Sequence, residues 1–324
     1  MNLTRRHVIA ALAGVPLAAP AALAQAPAGG RTVKIVVPFP AGGSTDVIAR
    51  IIGERLAAIR GTPVVIENKP GAGGHIGADQ VMRAPPDGAE MLLASVAISS
   101  NHHIVRRLNF DPARDLTPVS LVSTVPNALL VSPKVAAKSV AGLIALAKAS
   151  PGVLTYGSAG IGTSAHLAGA LFCLQTGIVM NHVPYRGTGP ALNDLVGGHL
   201  DVLFDILTAA IPQIRSGAAT ALGVTSLGRN AIFPELAPVA ETVPGFEAAT
   251  WNLLLLPPGA SPELASALAA DVATVLADPA VKARLAALSV ETIGTAPPEA
   301  QAFLRRESEK WGALVKAAGI TAAP

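Results

Sequence analysis

Val33-Lys34-Ile35-Val36-Val37-Pro38-Phe39-Pro40-Ala41-Gly42-Gly43-Ser44-Thr45-Asp46 is the stretch on which the fold class turns. A β-branched run stops at Pro38, two adjacent glycines follow, and apolar residues then recur at Val47, Ile48, Ile51, Ile52, Leu56 and Ile59. That recurrence has the helical period, so the order is strand, glycine loop, amphipathic helix. A second strand, Val64 to Glu67, runs through Asn68-Lys69-Pro70-Gly71-Ala72-Gly73-Gly74 into another helix, and a third strand is readable at Met91 to Val96. Strands alternating with helices predict a parallel, doubly wound sheet.

Downstream, Val119 to Val131 is too long for an ordinary strand and reads as a segment passing from one domain into the next. A second β/α series follows, with strands at Leu154 to Ser158, His182 to Tyr185, Asp201 to Asp205 and Ala221 to Thr225, and helices at Ser164 to Thr176 and Pro190 to Val196. Trp251 to Leu256 then precedes three helical segments, the last carrying Phe303, Leu304, Trp311 and Leu314, which should pack back on the first domain. The expectation is residues 31–124 with 249–324 as domain 1 and 125–248 as domain 2, joined by a two-stranded hinge near residues 124 and 249.

Upstream, Arg5-Arg6 precedes an Ala-rich apolar run, Val8 to Ala24, broken by Gly14, Pro16 and Pro20. This has the form of a signal peptide over residues 1–24, with Ala22 and Ala24 at the cleavage site, and either the general secretory or the twin-arginine route would serve. Lone Cys173 excludes an internal disulfide and sits in an apolar helical pattern, as a small core residue does. With 24 Lys and Arg scattered against 21 Asp and Glu, no basic stripe for nucleic acid is formed.

In an open parallel sheet, ligands sit beyond the carboxyl ends of strands, where helix N-termini present free N–H groups. Phe39, Ala41, Gly42 and Gly43 occupy such a loop, with Asp46 placed to accept from the loop's own amides. The alternative there is an ordinary tight βα turn. Ser158, Gly160, Gly162, Thr163 and Ser164 repeat the arrangement in the second series, and His166 in the helix's first turn should be a neutral ring that holds the loop or touches the ligand. The G-x-x-G-x-G spacing from Gly157 to Gly162 is the reverse of the dinucleotide fingerprint and is weak evidence for a nucleotide. Arg186, in Val183-Pro184-Tyr185-Arg186-Gly187-Thr188-Gly189-Pro190, is a cation for a ligand carboxylate or for an interdomain pair. Asp205, at a strand end, can accept from a ligand hydroxyl or amine, or from adjacent backbone.

About three hydrogen bonds to a charged oxygen from each domain, at roughly 1.5 to 3 kcal/mol apiece, offset an association cost of roughly 4 to 15 kcal/mol. Micromolar binding, about 8 kcal/mol, is within reach. The chain has no G-x-x-x-x-G-K-[ST] loop, G-x-S-x-G elbow or H-E-x-x-H pair. His102-His103 lacks a spaced acidic or cysteine partner, so neither a metal nor a cofactor is expected.

At these loops the sequence resembles the Bug family, the extracytoplasmic solute receptors of tripartite tricarboxylate transporters. The likeness runs from Val33 to Gly319. It is most specific at Val37 to Gly43 with Asp46, at Glu67 to Gly74, at Gly162-Thr163-Ser164 with His166-Leu167-Ala168, and at Val183 to Gly187 with Asp194 and Gly198. The resemblance implies an α/β, two-domain periplasmic-binding-protein fold of the Venus-flytrap, type II-like kind, with the Phe39–Gly43 and Gly160–Ser164 loops facing across a cleft. It implies a periplasmic monomer that captures a small carboxylate and delivers it to membrane permease subunits, without catalysis. Two other readings are a ligand sensor for a membrane signalling partner and an α/β enzyme acting on an anionic substrate. Ile206, where the family often has Asn, removes a polar contact, and Asn101-His102-His103 departs from the family's usual pattern after the third strand.

Overall fold

The computed structural model describes residues 31–105 and 111–321. The signal-peptide reading of residues 1–24 therefore lies outside the described residues. In chain order the elements are β1 (Val33–Val37), α1 (Ser44–Arg60), β2 (Val64–Asn68), α2 (His75–Met82), β3 (Glu90–Ala94), α3 (Ala97–Ile104), α4 (Pro112–Asp115) and β4 (Thr117–Val131). There follow α5 (Val140–Ala149), β5 (Thr155–Ser158), α6 (Ser164–Thr176), β6 (Asn181–Pro184), α7 (Thr188–Gly197), β7 (Val202–Ile206), α8 (Leu207–Arg215) and β8 (Thr220–Val224). The last are β9 (Ala249–Leu256), α9 (Pro262–Ala277), α10 (Pro279–Ala286), β10 (Glu291–Thr292) and α11 (Pro297–Ala317).

The main strand order is β2-β1-β3-β9-β4-β7-β5-β6, with β8 and β10 also pairing with β4. β1 runs parallel to β2 and β3, and β5 runs parallel to β6 and β7. The β-branched sequence of β1 suits a strand covered on both faces, and Ile35, Val36 and Val37 are fully buried. The doubly wound parallel pattern thus holds within each half. It stops at the middle, where β9 is antiparallel to β3 and β4, and β4 is antiparallel to β7.

β4 changes partners along its length. Thr117 to Pro126 pairs with β9, and Asn127 to Val131 pairs with β7. At the changeover the Asn127 N–H donates to Thr225 Oγ1 at 2.8 Å, its side-chain amide donates to the Ala248 carbonyl at 2.7 Å, and the Thr225 hydroxyl reaches the same carbonyl at 2.8 Å. Asn127 and Thr225 are fully buried, and these bonds meet the polar demand of a backbone leaving one ladder for another.

The tail returns to the first half. α11 packs on α3 and β4, and α9 on α1. The indole N–H groups of Trp251 on β9 and Trp311 on α11 both donate to Glu307 Oε2 at 2.7 Å, and Phe303 meets Trp251 edge-on. A core of Phe172, Phe204 and Phe246 joins α6 to β7 in the other half. Four helices are absent from the sequence reading, the short α4 among them. α3 carries polar Ser99, Ser100 and Asn101 on buried positions, α5 is apolar nearly all round, and α8 contains Pro212. α7 begins at Thr188, two residues before the expected start, so Pro190 lies in its first turn.

Candidate ligand-binding site

The loops at the carboxyl ends of β1, β5, β6 and β7 converge on one cavity of about 570 Å³, a size suited to a small metabolite. Its wall takes Phe39 to Thr45 from β1–α1, Ala159 and Thr163 to Ala165 from β5–α6, Arg186 to Pro190 from β6–α7, and Asp205 with Ile206 from β7–α8. Four helices, α1, α6, α7 and α8, therefore begin at the cavity. Their N-cap residues are Gly43, Thr163, Gly187 and Ile206, and none places a side chain on the first-turn amides. Of the other helices, α4, α5, α9 and α10 are capped by Asp111, Ser139, Ser261 and Asp278, while α2, α3 and α11 are not side-chain capped. Uncapped first-turn N–H groups, together with the positive ends of four helix dipoles, make the cavity a receiver of negative charge.

The β1–α1 loop is held from behind. The Gly42 N–H donates to Asp46 Oδ2 at 2.8 Å, Arg50 grips the same carboxylate through two bonds of 2.9 Å, and Asn68 donates to both Asp46 Oδ1 and the Phe39 carbonyl. Burial works against the Asp46 charge, but the Arg50 guanidinium, the Gly42 N–H and the Asn68 amide hold its carboxyl below the usual range. Glu67 is held down at about 2 by the ammonium groups of Lys34 and Lys69. The Glu67-Asn68-Lys69 segment thus stiffens the loop without lining the cavity.

The β5–α6 loop is held by side chains that turn back on it. The Thr163 hydroxyl donates to the Gly160 carbonyl at 2.7 Å, and Ser158 Oγ lies 2.7 Å from His182 Nε2. His166 Nδ1 accepts from the Gly162 N–H at 3.1 Å, and its ring stacks on His182 at 3.8 Å between centroids. Burial, with His182 beside it, pushes the His166 imidazole down to about 3, and burial alone takes His182 to about 4. Both rings are neutral at pH 7, which keeps Nδ1 of His166 available as an acceptor. Gly162 has φ +78°, and a Cβ there would run into the Asn101 side chain, so glycine is required. Ser100 Oγ donates across to the Gly162 carbonyl at 2.8 Å, tying α3 to this loop.

Asn127 on β4 and Asn252 on β9 reach two of these loops. Ser164 Oγ donates to Asn127 Oδ1 at 3.3 Å, and Asn252 Nδ2 donates to Thr45 Oγ1 at 3.3 Å. Among the sequence-derived candidates, Phe39, Ala41, Gly42, Gly43, Thr163, Ser164, Arg186 and Asp205 line the cavity. Asp46, Ser158, Gly160, Gly162 and His166 lie outside its lining and support the loops. Ser95, Thr250, Thr208 and Leu192 line the wall without having been singled out. Position after a strand end was a signal for Thr208, whereas Ser95 and Thr250 are small residues that nothing local marks. Ile206 lines the wall and presents an apolar side chain there.

Arg186 is exposed, lines the cavity and has no ion pair among the described residues. Asp205 is 2 % exposed, and burial pushes its carboxyl up to about 8 against the opposing effect of the Ile206 N–H and the Thr188 hydroxyl. Its Oδ2 has no hydrogen-bond partner among the described residues.

A two-lobed α/β fold around a loop-lined, anion-receiving cavity defines the class of solute-binding proteins. Residues 48–320 match the tripartite tricarboxylate transporter family receptor, and the chain belongs to that family. It is 35% identical to BugT of Bordetella pertussis over 324 residues, covering 98% of this chain and 99% of that one. The solved structure of R. palustris Rpa4515 with adipate is 35% identical with a TM-score of 0.85, covering 90% of this chain and 98% of the other. The periplasmic binding protein BugD is 34% identical with a TM-score of 0.83, covering 90% and 99%. Bug receptors are two-domain periplasmic solute-binding proteins, and this chain has their fold.

Proposed function

We propose that the protein captures a small carboxylate outside the cytoplasm and delivers it to the membrane subunits of a tripartite tricarboxylate-type transporter, acting as a monomeric receptor and not as an enzyme. The observation that carries this reading is the convergence of four uncapped helix N-termini and Arg186 on one cavity. A carboxylate satisfies those donors with its two oxygens. The adipate held by Rpa4515 is of the same chemical class.

In this reading residues 31–124 with 249–324 form one domain and 125–248 the other. They close on the ligand by bending where β4 and β9 cross, near Pro126 and Ala249. Export depends on residues 1–24. Phe39, Ala41, Gly42, Gly43, Thr163 and Ser164 contact the anion directly, while Asp46, Ser158, Gly160, Gly162 and His166 keep those contacts in place.

A thermal-shift screen of ligand-stripped protein tests the binding reading, using C4 to C8 carboxylic acids, acidic amino acids, aromatic acids and nucleotides. A dose-dependent rise with carboxylates is expected, because stabilisation grows with the ratio of ligand to dissociation constant. A rise confined to nucleotides or phosphorylated compounds would overturn it. Delivery is checked separately: deletion of the gene should abolish uptake of the acid that the screen identifies.

A further inference from the structure

Nearly every polar feature of the cavity suits an anion, and Asp205 is the exception. It sits at the end of β7 in the cavity wall, buried, with Oδ2 lacking any hydrogen-bond partner among the described residues. An unmet polar atom in so buried a position carries a cost that a ligand group can remove. The elements packed against β7 bring it no cation. β4 has no titratable residue; Tyr156 on β5, His166 and Cys173 on α6, Asp194 on α7 and Arg215 on α8 do not line the cavity. Arg186 lines it, but makes no ion pair with Asp205 among the described residues.

Taking the carboxylate-receptor reading as given, we infer that Asp205 is a specificity-determining residue, entering the complex as a neutral acid and donating its proton in a hydrogen bond to a second acceptor group of the ligand. An ionised Asp205 would instead repel a dianion and welcome an ammonium group. The carboxyl's upward shift to about 8 agrees with the neutral form at pH 7. An anionic neighbour raises such a group further. The cavity would then read its ligand at two points. The helix N-termini take one carboxylate, the apolar stretch of Ile206, Leu192 and Pro212 lies along the ligand body, and Asp205 tests the far end.

Straight-chain C4 to C8 acids separate the possibilities by titration calorimetry, comparing α,ω-dicarboxylates, monocarboxylates and ω-amino acids of equal length. The dicarboxylate is expected to bind tightest, by roughly tenfold or more over the monocarboxylate. Its affinity should be flat between about pH 6 and 8, where both ligand carboxylates stay ionised, and fall about tenfold per pH unit above about 8, because the complex then has to take up a proton. Asp205→Asn, whose amide also donates, should keep dicarboxylate binding and lose that pH dependence. Monocarboxylates binding as well as dicarboxylates, ω-amino acids binding tighter, or a flat wild-type profile to pH 10 would each overturn the role of Asp205 while leaving the receptor reading intact. Failure of every acid to bind would remove both. The wild-type profile decides the matter even if the variant folds poorly.

Discussion

Asp205 and His166 show how single buried groups give the empty protein opposite pH responses. His166 has its folded value lowered to about 3 from an ordinary 6.5, so its neutral form is what the fold accommodates. The stability tied to that ring is complete above pH 6.5 and is lost as pH falls from 6.5 towards 3. Asp205 is raised to about 8, so its contribution is complete below about pH 4 and is lost as pH climbs to 8. Denaturant melts across pH 3 to 9 should show His166→Gln losing less stability than wild type on the acid side, and Asp205→Asn losing less on the alkaline side. The glycines and hydroxyls around both loops were legible in the sequence because each set lies between a strand-like run and a helical period. Their division of labour was not. Whether Ser158 or His166 turns to the cavity or back on the loop depends on His182, 24 and 16 residues further on, and on the burial that stacks the two rings.

Elements decide which amides remain free. Ser261 caps α9 through the Leu264 N–H at 3.2 Å, well away from the cavity, whereas α6 begins at Thr163, whose hydroxyl is engaged by Gly160. Ser261→Ala should cost about 1 kcal/mol of stability and leave ligand affinity unchanged. Gly162→Ala should cost about 1 to 3 kcal/mol, since it forces a left-handed residue against Asn101, and should also weaken binding by displacing Thr163 and Ser164. Chemical denaturation and calorimetry on the two variants separate a cap that only stabilises from a loop that also binds. Long amphipathic helices such as α1 were readable from period alone. The nine residues of α8 were not, because Pro212 breaks the usual pattern and the helix is anchored by tertiary contacts that no local window contains.

At the scale of the whole molecule, the tail is pinned by a single carboxylate shared between two buried indoles. Glu307→Ala leaves both N–H groups of Trp251 and Trp311 without that acceptor, and about 2 to 4 kcal/mol of stability should go with it, read as a lower denaturant midpoint and altered near-ultraviolet circular dichroism. The length of β4 was legible, since Val119 to Val131 reads as one extended run. The antiparallel insertion of β9 was not, because pairing Leu254 with Leu93 and Ser120 is a property of the assembled sheet. That insertion sets an order of events during synthesis. β3 and β4 are finished early, yet the place between them stays empty until β9 follows more than a hundred residues later. Until then two strand edges remain open, and the first sheet is a template awaiting its last piece. A nascent chain halted before residue 249 would expose those edges to other chains, so aggregation, more than slow unfolding, is the hazard that this topology carries.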